Sequence, residues 1–381
     1  MKKAISYLLI VCTLLLITGC NKEEPSSDNT PAPTTPSSNP EIITEPITLD
    51  VPFLAVALPN ISESTCADDG TEIYKESYPY MTLTLDGQVT ADLIINDFMS
   101  KVDSSLSAAE SLKAAAQSAY NGNANFTPYQ FSLNYTPTRI DTSVLSLFGS
   151  SVRYSGGSHP EHSCVAANYN IISGDSLTLG SIIKHQDSVD DLAKLLIKQL
   201  NVQKEEKFLR DGFEEDIMLR FSQDISFDSD WYFSKKGLCF YFAPYEIAPY
   251  SSGVIIAEIP YEELADILDP AFFPPESVEN HGEITITPFS VDTANSFQQT
   301  SELILDEDGQ KYFIFSSSCI ENIQIVSRST ESANGDGETV YYTAYCLNPG
   351  NAIMLQANDA SMYYVEYIQD GKPISIPIIS K

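Results

Sequence analysis

Short apolar and polar runs alternate from residue 47 onward, and their period changes repeatedly before residue 270. Pro52–Leu58 and Tyr78–Leu85 are β-prone, and Asp86-Gly87 marks a turn after them. Between 91 and 120 the period becomes helical. Leu93, Ile94, Phe98, Val102, Leu106 and Ala109 recur along one helical face, and the alanine-rich end favours helix. Phe131–Tyr135 and Val144–Tyr154 read as strands. Residues 188–200 carry an amphipathic helix pattern and residues 213–221 a shorter one. Strands return at Trp231–Phe233 and Leu238–Phe242 around a Lys236-Gly237 turn, then at Val254–Ile259. A helix is predicted at Tyr261–Leu268.

The DPAFFPP segment at Asp269–Pro275 reads as a boundary. Beyond it the candidate strands are Ile284–Pro288, Leu303–Leu305, Tyr312–Ser316, Ile323–Ser327, Val340–Cys346, Ala352–Ala357, Tyr363–Ile368 and Ile374–Ile379. Asp308-Gly309, Asp336-Gly337 and Asp370-Gly371 fall between runs, as hairpin turns require. The expected architecture is α+β. Antiparallel sheets packed with helices occupy 47–270, divisible near residue 150 into 47–150 and 151–270. An all-β, sandwich-like domain follows at 276–381.

The N-terminus has a different character. Lys2 and Lys3 precede an apolar stretch to Ile17, then Thr18, Gly19 and Cys20. A basic start, a short apolar core and small residues before a cleavage point make residues 1–19 a secretory signal peptide. The apolar stretch is shorter than the ~20 residues of a spanning helix. The Ile-Thr-Gly-Cys ending resembles the lipobox of bacterial lipoproteins, which implies cleavage before Cys20 and lipidation of it. Residues 20–46, rich in proline, serine, threonine and asparagine, read as a disordered stalk. The expected location is extracytoplasmic, lipid-anchored to the cell membrane, with the anchor as the membrane contact.

Charge narrows the partners. The chain holds 21 basic and 52 acidic residues, a net charge of −31. A phosphate backbone would repel it, so nucleic acid is not expected; cationic partners or plain solubility are. Residues 205–230 carry nine acids against three bases, and residues 258–283 eight acids with no lysine or arginine. Such stretches suit a docking face for a basic protein, or solvated helices and loops. Once Cys12 leaves with the leader and Cys20 is lipidated, Cys66, Cys164, Cys239, Cys319 and Cys346 remain. The odd count leaves at least one unpaired, and Cys319 with Cys346 is the candidate disulfide on proximity. No cysteine spacing matches a zinc site, and neither metal nor cofactor is expected.

Two stretches of the middle region carry a family pattern. In the first, Tyr154, Gly156, Gly157 and His159 lead into Ser173-Gly174 and Leu177-Thr178-Leu179. In the second, Pro244, Tyr245, Glu246, Ile247, Ala248, Pro249 and Tyr250 are followed by Gly253. A weaker third part is the helix around Ile95–Val102. Together they resemble the extracellular region of RsiV-type anti-sigma factors, which sense lysozyme, and the non-catalytic region of PdaC-type peptidoglycan deacetylases. The resemblance covers about 47–270, and the C-terminal β segment lies outside it. No spanning helix, sigma-binding segment or deacetylase domain is evident, so it implies a binding region on a lipid anchor.

His159 and His162 flank Glu161, but Gly156, Gly157 and Pro160 argue for a turn, not for a helix presenting two metal ligands. Glycines there serve positive φ or close approach, with His159 hydrogen-bonding across the loop. In the second motif, Glu246 between Tyr245 and Tyr250 suits a basic side chain or a sugar hydroxyl, with Pro244 and Pro249 as stiffeners. The residues equally allow a packed loop with Tyr245 and Ile247 in the core. No nucleophile–base spacing or phosphate loop stands out. The expected function is non-catalytic binding of a lysozyme-like muramidase, with peptidoglycan binding as the alternative. A hydrolase or deacetylase would need a polar cleft near His159 and Glu246.

Overall fold

The computed structural model describes residues 52–123, 125–223, 230–276, 282–328 and 338–378. Cys20, the stalk, His281 and Asp336-Gly337 lie outside the described residues. The expected α+β class holds, with several antiparallel sheets and a strand-rich C-terminal region.

The described residues open with β1 (Ala55–Ala57), β2 (Asn60–Cys66), β3 (Glu72–Pro79), β4 (Thr82–Thr84) and the long helix α1 (Gln88–Ala119). Then come β5 (Tyr129–Ile140), β6 (Val144–Tyr154) and β7 (Glu161–Asn170). These build a five-stranded sheet in the order β2-β3-β5-β6-β7. The β3–β5 pair is parallel, with α1 in the connection between them. Ile94, Phe98, Val102, Ala109, Leu112 and Ala116 form the buried row of α1. They pack with Leu133, Tyr135, Leu147 and Tyr169 of the sheet. Each large side chain so buried contributes about 1.5–3 kcal/mol. Leu93, placed on this face by its spacing, is instead 51% exposed.

The next segment holds α2 (Leu179–Ile182), α3 (Val189–Val202), α4 (Lys204–Lys207), α5 (Phe213–Gln223), β8 (Trp231–Phe233), β9 (Gly237–Phe242) and β10 (Ile255–Pro260). The three strands form an antiparallel sheet, β10-β9-β8. Leu192, Leu196 and Leu200 of α3 and Phe213, Ile217 and Phe221 of α5 cover one face. On the other face Tyr232, Cys239 and Tyr241 meet Phe148, Cys164 and Ala166 of the first sheet. The helix expected at Tyr261–Leu268 is only a 3-10 turn, Tyr261–Glu263. The chain bends there because Leu268 bridges Ile183 and the Ile267 carbonyl accepts the Lys184 N–H.

The C-terminal part contains β11 (Ile284–Pro288), α6 (Val291–Ala294), β12 (Gln299–Ile304), β13 (Gln310–Ser316), β14 (Ile320–Arg328), β15 (Glu338–Leu347), β16 (Asn351–Ala357), β17 (Tyr363–Gln369) and β18 (Lys372–Pro377). A four-stranded sheet, β11-β13-β16-β12, shares a core with a six-stranded one, β18-β17-β14-β15-β1-β4. Two strands of the larger sheet thus come from the start of the chain. The unbroken apolar run Phe53–Leu58 explains this, since it is buried on both faces. Phe53, Ala55 and Ala57 enter the sandwich core; Leu54, Val56 and Leu58 enter the core beneath α1. Cys319 and Cys346 are bonded, with Cα atoms 6.2 Å apart. Cys66 is exposed, Cys164 half-buried and Cys239 buried, all as free thiols.

A candidate binding surface

The two sequence motifs occupy two hairpin connections. β6 ends at Tyr154 and Arg153 pairs with Glu161, so residues 155–160 form the loop between β6 and β7. Phe242 pairs with Ile255, so the Pro244–Gly253 segment lies in the connection between β9 and β10. The packing of Tyr232 and Tyr241 on Phe148 brings both hairpins together, with ring centroids 4.5 and 5.0 Å from Phe148.

At the loop tips the contact is aromatic. Tyr250 is the hub, with ring centroids 5.1 Å from His159, 6.5 Å from His162 and 5.4 Å from Tyr245. His159 is exposed, and its Nδ1 lies 3.3 Å from the adjoining Pro160 carbonyl. Its tie is therefore local, and its cross-loop contact is the Tyr250 ring. Gly156 has φ of 83°, and a Cβ there would stand 3.0 Å from the Tyr129 ring, so both expected glycine roles apply. Neither applies to Gly157, which lacks a positive φ and where a Cβ would meet only the His159 carbonyl oxygen at 3.9 Å. Gly253 adopts φ 67° in an uncrowded turn.

Glu246 does not face outward as an anchor. Its Oε1 lies 2.5 Å from Arg220 of α5, and its Oε2 accepts the Ala243 N–H at 3.0 Å. Its carbonyl accepts from Arg210 at 3.2 Å. Both carboxylate oxygens serve to hold the loop. Ile247 is core, as the packed-loop reading expects, but Tyr245 is not: it is 68% exposed. Its φ of 74° is rare for a bulky residue and aims it outward. Burial, with Glu246 second, pushes the Cys164 thiol beneath up to about 11.

The acidic stretch around α4 and α5 reaches this surface. Arg210 donates to the Ile247 carbonyl, and Ser252 Oγ donates to the Lys207 carbonyl at 2.7 Å. Phe208, next in the chain, is 71% exposed with φ of 53°. Exposed Glu205, Glu206 and Asp211 flank it. Val254 and Ile256 on the neighbouring strand are also part-exposed. Phe208 and these aliphatics escape sequence reasoning; only the lone phenylalanine after a KEEK turn hints at them. The second acidic stretch leads away, because Glu258 and the residues after it lie at the far end of β10. No group of three or more histidine, cysteine, aspartate or glutamate side chains among the described residues is arranged to hold a metal.

A model of the protein family of unknown function DUF3298 matches residues 181–262. Residues 181–262 are a DUF3298 domain. This is the domain type found in RsiV-like proteins. It supplies Tyr245, Tyr250 and Phe208, while His159 comes from the sheet outside it. No curated protein matches the chain. A crystal structure of a DUF3298 family member from Bacteroides fragilis has 18% identity and a TM-score of 0.40, covering 57% of this chain and 94% of that one. A DUF3298 family protein from Pseudomonas aeruginosa has 18% identity and a TM-score of 0.39, covering 58% and 97%.

Proposed function

We propose that the protein is a non-catalytic, extracytoplasmic lipoprotein, anchored through Cys20, that binds a basic muramidase of the lysozyme type through the Tyr245–Tyr250 surface. The observation that carries this reading is the half-buried Tyr250 ring in contact with exposed Tyr245 and His159, with exposed Phe208 and exposed acids at 205, 206 and 211 on the segment bonded to the same loop. Aromatic anchors inside a polar rim are what binding hot spots are made of. A chain of net charge −31 attracts a basic partner at long range. Glu246, the motif's one carboxylate, is engaged by Arg220 and Ala243, which favours a binding role over general acid–base work.

The test is calorimetric titration of the full chain in detergent micelles with a basic lysozyme. Binding should saturate in the micromolar range or tighter and weaken as salt rises. Tyr250→Ala should weaken it by roughly tenfold or more, as loss of an aromatic anchor does. No binding at tens of micromolar refutes the reading. Sedimentation with purified sacculi, without lysozyme binding, would establish peptidoglycan as the ligand instead.

A further inference from the structure

A cleft of about 830 Å3 lies between the five-stranded sheet and the sandwich. That volume is in the range of ordinary ligand sites, about 300–1,000 Å3. None of its lining residues belongs to the DUF3298 domain or to the β6–β7 hairpin. Its walls differ in kind. β4 contributes Thr82 and Thr84, and β12 contributes Thr300, Glu302 and Ile304. These are alternate residues, so the cleft meets those two strands on their faces. A hydrogen bond from Thr84 Oγ1 to Ser301 Oγ at 2.8 Å, on the buried side of β12, holds the two strands together. β2 instead contributes the consecutive residues Asn60, Ile61 and Ser62. β3 adds Ser77, whose hydroxyl accepts from Ser62 Oγ at 3.4 Å, and β2 is the last strand of its sheet among the described residues, with no strand on its far edge there. An open edge beside a groove is where an extended peptide adds as a further strand.

The lining also selects charge. It includes Glu302, Asp306 and Glu307 and no lysine or arginine. Asp306 is committed to the Asp308 N–H and the Asn358 amide, whereas Glu302 and Glu307 are exposed. Tyr80 is 46% exposed at the rim, and Tyr341 and Tyr363 meet edge-on with centroids 5.8 Å apart. Carboxylates beside tyrosine faces favour ammonium and guanidinium groups. We propose that this cleft takes an extended polypeptide segment carrying lysine or arginine, paired as a strand against the edge of β2. The backbone would bond to β2 while its basic side chains reach Glu302 and Glu307. The site is independent of the surface around Tyr250.

The test uses the full chain in detergent micelles and a fluorescein-labelled hexapeptide of alternating lysine and threonine, read by anisotropy. Saturable micromolar binding that weakens with salt is expected. The same peptide N-methylated at alternate amides keeps its charge but loses strand donors, and should bind at least about tenfold more weakly. E302K/E307K should weaken binding by a similar factor, with Trp231 fluorescence unchanged. Y245A/Y250A should leave it intact. The proposal is overturned by no saturation up to about 1 mM. It is equally overturned if spermine or the N-methylated peptide binds as tightly, since that shows a general cation patch. Loss in Y245A/Y250A but not in E302K/E307K would assign the peptide to the other surface and also overturn it.

Discussion

Ser146→Ala tests how the DUF3298 domain is joined to the rest of the molecule. β8 is an edge strand, yet its outer backbone groups do not face water. The Phe233 N–H donates to Ser146 Oγ at 2.9 Å, the Phe233 carbonyl accepts from Thr138 Oγ1 at 2.7 Å, and the Trp231 carbonyl accepts from Asn168 Nδ2 at 3.0 Å. Ser146 Oγ also donates to Asn168 Oδ1 at 2.6 Å. Three polar side chains, one each from β5, β6 and β7, thus stand in for a missing strand. Ser146 and Asn168 are buried, so no water replaces a lost partner cheaply.

Alanine at 146 removes one acceptor and one donor and orphans the Phe233 N–H. A buried polar group left unmet costs about 1–3 kcal/mol, which puts Ser146→Ala at about 2–4 kcal/mol for the two bonds. With a urea slope of about 3 kcal/mol/M, the midpoint should fall by roughly 1 M. Trp231 is the chain's single tryptophan and is wholly buried at this seam. Its fluorescence reports the seam, while far-ultraviolet circular dichroism reports all four sheets. Asn168→Ala should act in the same direction. The double variant should cost less than the sum, because the two side chains bond each other. A midpoint unchanged within about 0.2 M in Ser146→Ala, or strict additivity, refutes the argument.

Arg139, buried with Asp141 at 2.5 Å and bonded to Tyr261 Oη and the Phe272 carbonyl at 2.7 Å each, ties β5 to the end of the DUF3298 domain and to the segment that follows it. Arg139→Met should cost about 3–5 kcal/mol by urea titration, and adding Asp141→Leu should not recover it, because Asp141 Oδ1 also accepts the Ser143 and Val144 N–H groups, which leucine would orphan. Tyr245→Gly should raise stability by about 1 kcal/mol in thermal melts by relieving the left-handed backbone, yet weaken lysozyme binding in the same preparation. Burial, aided by Glu246 and Glu258, pushes the Cys164 and Cys239 thiols up to about 11 and about 12 from the ordinary 9.0. The folded state then holds these protons longer than the unfolded one, so their contribution is intact below pH 9.0 and lost as pH rises through about 11 to 12. Urea midpoints should fall on that side only, and at mildly alkaline pH mass spectrometry should find iodoacetamide on exposed Cys66 well before the other two. Residues 181–262 produced alone should expose Tyr232 and Tyr241 and give broad, poorly dispersed NMR spectra.

Legibility differed by kind of element. All eight C-terminal strands were readable because alternation acts locally; Asp370-Gly371 closes the β17–β18 hairpin as expected, but Asp308-Gly309 joins β12 to β13, which do not pair. β2, with the sequence NISESTC, was not; it is an edge strand exposed almost throughout, so no apolar face marks it. The run at Phe53–Leu58 announced a strand, but not that its two faces would serve two cores, because that depends on β15 nearly 290 residues away. Apolar spacing at Tyr261–Leu268 suggested a helix; a long-range bridge from Leu268 to Ile183 won instead. At the candidate surface, His159, Tyr245 and Tyr250 were legible through their motifs. The two readings of Glu246, an anchor for a ligand or part of a packed loop, stayed open because its partner Arg220 lies on a helix upstream, and spacing says nothing of that pairing. Phe208 was missed because exposure of an apolar side chain is a property of placement.

The DUF3298 domain does not own the whole surface it presents. Tyr250 rides on the β9–β10 connection, and His159 on the β6–β7 connection outside the matched residues. What sets their spacing is the wall between the sheets, where Phe148 takes both Tyr232 and Tyr241, together with the Ser146–Asn168 seam one strand away. Those contacts are buried and directional, so the aromatic group is fixed before any partner arrives. A surface held this way gives up little conformational entropy on binding, and more of its contact energy remains as affinity. The polar seam and the exposed rings are therefore one design: Ser146, Thr138 and Asn168 hold in place what Tyr245, Tyr250 and His159 present.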